Sequence, residues 1–101
     1  MNRLVLRALL VERGAMRFTP AGLPALDMVL KHQSQRLEAG QSRKVSAEIR
    51  AVAIGDIAQR AGSLAVGGEA DFDGFVSAQR NGRGLVFHLT ALANVTVPST
   101  D

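Results

Sequence analysis

The sequence predicts an all-β fold, a five-stranded Greek-key barrel with one short helical turn between the third and fourth strands. Three observations lead there. Apolar residues recur at every second position in successive stretches, the mark of strands with one buried face. "QRNGRG" at 79–84 places an Asn-Gly pair between two such stretches, the strongest local signal for a tight hairpin turn. "GDIAQRAGSL" offers a short helix, and a helical reading of 2–12 is disfavoured by the "TPAG" that soon follows. With 101 residues, 47% of them apolar and 21% charged, the chain has the size and composition of one folded domain with a modest core. The expected layout is a single domain over 1–101, with the barrel over about 2–97 and a short tail, 98–101.

The first strand is expected over 2–12, with Leu4, Leu6, Ala8 and Leu10 inward and Arg3, Val5, Arg7 and Leu9 outward. A loop over 13–22 follows, punctuated by Gly14, Pro20 and Gly22. Leu26, Met28 and Leu30 alternate with Asp27, Val29 and Lys31 in the second strand. Residues 33–44 lack both periodicities and are expected to form a long, mobile, polar loop. Val45, Ala47, Ile49, Ala51 and Ala53 then alternate with Ser46, Glu48, Arg50 and Val52 in the third strand. Asp56 is the expected N-cap of the helical turn, which ends near Gly62. The fourth strand covers about 69–79, with Ala70, Phe72, Gly74 and Val76 inward. The fifth runs through Leu85, Phe87 and Leu89 until Pro98 stops it.

Five strands are few for a two-sheet sandwich, whereas a closed barrel removes exposed edges. The OB-fold has this order of elements, and its first loop and its fourth-to-fifth-strand loop commonly bind oligonucleotides. Asn81-Gly82 falls in the second of those loops. Arg80 and Arg83 beside it read either as solvated turn residues or as phosphate contacts.

Other classes find little support. The chain has no cysteine, which excludes disulfides and thiolate chemistry. His32 and His88 are the only histidines, with no third ligand at usable spacing, so no metal or cofactor is expected. Asp71 and Asp73 have no nucleophile nearby and read as a solvated edge, so no enzyme is expected. No apolar run reaches membrane-spanning length, and a soluble, cytoplasmic setting is the default expectation. Twelve Lys and Arg against nine Asp and Glu give a net charge of +3. Ten of those cations are Arg, whose planar fork suits phosphate.

"NRLVL" at 2–6 and "FTPAGLPALDMVLKHQS" at 18–34 resemble the opening of the bacterial primosomal replication protein N family, small dimeric OB-fold members of the single-stranded DNA-binding protein superfamily. "GDIAQRAGSLAVGGEADFDGFV" at 55–76 is similar to the helix and fourth strand of that superfamily. Only "VTVPSTD" ends the chain, where single-stranded DNA-binding proteins usually carry a Gly/Gln/Pro-rich tail ending in acids. That difference favours the primosomal branch.

The resemblance implies a non-catalytic protein that binds single-stranded DNA, contacts the primosome helicase and helps pass a stalled fork to loading factors. It implies binding through Arg17, Arg43 and Arg80, with Arg83 close by and Lys31 and Lys44 on the same side. Arg50, on the outward face of the third strand, joins them. Gln33 stands where the family often has an Arg, and Gln41 and Ser46 where it often has aromatics. With neither Trp nor Tyr and four Phe in the chain, the remaining stacking candidate is Phe18. Binding is therefore expected to be weak and salt-sensitive. Phe75, outward beside two acids, is expected to serve packing or a subunit contact. Arg3, Val5, Arg7 and Leu9 are the expected homodimer interface. An adaptor for the helicase with vestigial DNA binding is the alternative function, and RNA binding by the same surface stays open.

Overall fold

The computed structural model describes residues 1–98, so the expected tail beyond Pro98 lies outside the described residues. Its strands are β1 (Leu4–Arg13), β2 (Arg17–Phe18), β3 (Pro24–Glu38), β4 (Gln41–Ile54), β5 (Glu69–Ala78) and β6 (Leu85–Thr96), with α1 (Asp56–Gly62) between β4 and β5. The five long strands are those expected. The two-residue β2 is an addition that moves the helix, counted along the chain, between the fourth and fifth strands.

The sheet order β1-β5-β6-β4-β3-β2 closes on itself because β1 also pairs with β3. β1 achieves this by changing neighbour along its length: Leu4 to Leu9 face β5, and Leu9 to Arg13 face β3, with a bulge at Leu10/Glu12. β4 and β6 pair in parallel over Ala51–Ala53, the remaining seam of the barrel. The result is the OB-fold that the alternation predicts. Phe72, Phe87, Leu10, Leu26 and Leu30 fill the interior, each fully buried. α1 plugs one end through Ala58 and Ala61, with Leu64 just beyond it. Its N-cap is Gly55, not Asp56: Gly55 takes φ 92° and makes no side-chain cap, while Asp56 is the first helical residue. Asp56 at the start and Arg60 in the last turn complement the helix dipole.

Two expectations about connections are overturned. Residues 33–44 form no loop: β3 and β4 pair without a break from Ala25↔Ile54 to Glu38↔Gln41. Ala39 and Gly40, at φ 51° and 78°, make a two-residue turn of the kind that matches strand twist. The outer half of this hairpin projects past the barrel as a two-stranded arm, and the molecule measures 49 × 40 × 21 Å. Val45 is therefore half-buried and Ala47 exposed, not core. Nor is Asn81-Gly82 a two-residue turn. Gly82 N–H donates to the Gln79 carbonyl at 2.8 Å, Gln79 N–H to that of Gly84 at 3.0 Å, and only Gly82 and Gly84 take positive φ. Asn81 instead accepts the Arg83 N–H on its side-chain oxygen.

Candidate nucleic-acid interface

Strand alternation that sends Leu26, Met28, Ala51, Ala53, Phe87 and Leu89 inward must send their neighbours outward. On the outer surface one row of side chains then crosses four strands. Phe75 on β5 faces His88 on β6, His88 faces Val52 on β4, and Val52 faces Asp27 on β3. The next row carries Val29 opposite Arg50, and Ser77 opposite Val86. Between the first loop, with Arg17 and Thr19, and the β5–β6 turn, with Gln79 and Arg80, these rows, apart from Phe75, floor an open groove of about 840 Å³.

The first loop is tied to the strands. Arg17 and Phe18 pair with Ala25 and Pro24, and Thr19 N–H donates to the Leu23 carbonyl at 2.8 Å. That pairing brings the Arg17 guanidinium onto the Asp27 carboxylate through two bonds, at 2.9 and 3.2 Å. The contact raises the Arg17 pKa above its ordinary value, through the hydrogen bond first and the charge of Asp27 second. On the opposite wall Arg80 is exposed, and neither it nor Arg50 makes an ion pair among the described residues.

The groove runs onto the arm without a change of face. Outward from Val29 and Arg50, the cross-strand pairs are Lys31 with Glu48, Gln33 with Ser46, and Gln35 with Lys44. A shallow dip over Gln33, Gln35, Lys44 and Ser46 continues the track. Arg50 and Lys44, six residues apart on one strand, stand about 20 Å from each other. Arg17, Arg50, Arg80, Lys31, Lys44, Gln33 and Ser46 thus share one surface, and Arg83 sits in the adjoining turn.

Arg43 does not join them. It lies directly opposite Arg36 on the reverse face of the arm and is paired with Glu38 at 3.2 Å. Phe18 is 69% exposed, at the outer edge beside Pro24 rather than among the cations. Gln41 is at the arm's tip.

The β1 surface also departs from expectation. Asp71 and Asp73 are no sheet edge, because β5 lies between β1 and β6. Arg3 clamps Asp73 with bonds of 3.1 and 2.6 Å. Arg7 reaches Asp71 at 3.3 Å, Glu69 at 3.6 Å and the Asn94 carbonyl at 2.6 Å. The bond from Arg3 holds the Asp73 carboxyl below its usual range, and the amide of Asn94, then Arg7, does the same for Asp71. Val5 remains exposed and Leu9 half-buried on this face.

Sequence reasoning missed the Phe75–His88 pair. The rings stack with centroids 4.7 Å apart and planes 3° from parallel. Parity placed Phe75 outward, but only the β5–β6 register sets it against His88.

Comparison with known proteins gives a consistent picture. The model of a family described as another single-strand binding protein family matches residues 2–91. The replication restart protein PriB of Bordetella pertussis is 48% identical over 80 residues, 79% of this chain and 75% of that protein. PriB of Photorhabdus laumondii is 35% identical over 85 residues, 83% of this chain and 81% of its own length. The crystal structure of PriB from Ralstonia solanacearum superposes with a TM-score of 0.85 at 39% identity, covering 93% of this chain and 97% of that one. The single-stranded DNA-binding protein of Thermus aquaticus gives a TM-score of 0.71 at 27% identity, with 91% of this chain matching 48% of that one.

Proposed function

Since the chain belongs to the single-strand binding protein family, in its PriB branch, we propose that it binds single-stranded DNA non-catalytically and serves replication restart by scaffolding helicase and loader assembly. The observation that carries this reading is the shared face of the β3–β4 hairpin. Arg50, Lys31 and Lys44, none of them ion-paired among the described residues, line one track that runs from the groove out along the arm. Such a track supports phosphate contacts along an extended backbone, with Gln33 and Ser46 supplying hydrogen bonds between the charges. Arg17, Arg80 and Arg83 close it at the barrel end. Phe18, at the groove's outer edge, is available to a base beyond it.

Homodimerisation belongs to the same proposal. Leu4 to Ala8 have a β5 neighbour but none in β3, which leaves one side of β1 open to a second copy. Val5 and Leu9 supply apolar contact there, and Arg3 and Arg7, already neutralised within the chain, form its rim. The proposed setting is the cytoplasm, where the nucleoid is; no helix among the described residues is long and apolar enough to cross a membrane.

One observation favours the second reading, a helicase adaptor with vestigial DNA binding. Two of the expected cations, Arg17 and Arg43, are occupied by Asp27 and Glu38. Fluorescence anisotropy with a labelled dT oligonucleotide at two salt concentrations separates the readings. DNA binding predicts a saturable rise that weakens with salt, and the adaptor reading predicts little or none.

A further inference from the structure

Resting on the single-strand-binding reading above, we propose that the notch over Val52 seats one nucleobase of the bound strand, with the Phe75–His88 stack as its platform. Val52, at 8% exposure, lies on the groove floor between His88 and Asp27, whose longer side chains line the same groove. His88 rises on β6 and the Arg17–Asp27 pair on β3. Those strands are two sheet spacings apart, roughly 9–10 Å. A planar base needs about 3.5 Å of van der Waals distance on each face, so the notch admits one base and no more.

The ring geometry points the same way. Phe75 and His88 are direct cross-strand partners, so Phe75 covers the face of the imidazole turned toward β5. The other face turns toward β4, and His88 lines the groove there. Phe75 holds the imidazole upright, and a base entering the notch extends the stack by a third ring. Its far face meets the Arg17 guanidinium, itself a planar stacking surface fixed by two bonds to Asp27.

Two acids near Phe75 would oppose a nucleic acid if they were free. Arg3 neutralises Asp73, and Arg7 neutralises Asp71. Asp27 is likewise held by Arg17. Of the two acids lining the groove, Glu12 alone makes no ion pair among the described residues, and the sheet around the rings presents an aromatic pair.

The chain lacks Trp and Tyr, so His88→Trp installs a sole strong fluorophore on the face that the base would meet. Titration with a dT oligonucleotide should change its emission with the same midpoint as anisotropy of the labelled strand. A rise in anisotropy with unaltered emission overturns the base seat and leaves strand binding standing. No rise in anisotropy overturns both. His88→Ala needs no reporter within the chain. It should weaken dT binding about tenfold at an unchanged salt slope while leaving binding to an abasic strand as it was. Equal weakening on dT and abasic strands would show that His88 acts through the fold alone, and the base seat would be overturned.

Discussion

The guanidinium of Arg17 is bound in two places to the carboxylate of Asp27, with its Nε 2.9 Å from Oδ2. The cation that family resemblance assigns to DNA is thereby paired at the mouth of the groove. Both partners are about half-exposed, so the pair adds little to stability. Its consequence is electrostatic: one positive charge is offset where a phosphate would come.

Removing that offset should strengthen binding. Asp27→Asn keeps the side chain's shape and one oxygen acceptor for Arg17 while removing the opposing charge, so dT affinity should rise several-fold at low salt. The gain should shrink as salt rises, because a freed charge adds about 0.7 to the log–log slope. Anisotropy titrations of both proteins across a salt series measure it. Unaltered affinity would place Arg17 outside the path of the strand.

Gly74 makes the platform possible. A Cβ there would sit 1.9 Å from the His88 carbonyl oxygen and 3.1 Å from Phe87 Cε1. The bulge between Asp73 and Gly74 lets β5 and β6 approach that closely. Gly74→Ala should therefore cost more than about 2 kcal/mol in urea denaturation. A loss within a few tenths would mean that the two strands separate cheaply.

Acid should loosen the β1–β5 seam. Asp71 and Asp73 have native pKa values lowered by the bonds they accept from Asn94, Arg3 and Arg7. Their contribution is present above the unfolded carboxylate value of about 3.9 and disappears as pH falls through the lower native values. Melting temperature should thus decline below about pH 4, and less steeply in Asp73→Asn than in the parent. Parallel pH profiles would assign the acid sensitivity to other carboxylates.

Much of this architecture was legible from strand parity. Leu10, Leu26, Phe72 and Phe87 fall on the inward parity of their strands, and all four are core. The β3–β4 arm was not legible, because it has no buried face to enforce alternation and its turn begins with Ala39, a poor marker for positive φ. The same gap misplaced Arg43. Once residues 33–44 are paired strands, parity sends Arg43 to the reverse face with Arg36 and keeps Lys44 on the track. The Phe75–His88 stack depends on register across a bulge, which no local pattern encodes. Likewise, the partners of Arg3 and Arg7 lie more than 60 residues away in sequence.

In the proposed complex a strand follows the hairpin face and is gripped by the β5–β6 turn. The most direct measurement of that grip is the salt dependence of dT-oligonucleotide affinity for the parent and for the double variant Arg80→Ala, Arg83→Ala. Both residues lie in the turn, outside the core, so the fold should persist. Deleting two phosphate-binding cations should weaken binding and reduce the log–log slope by about 1.4. Identical slopes and affinities would contradict the claim and remove the turn from the binding site.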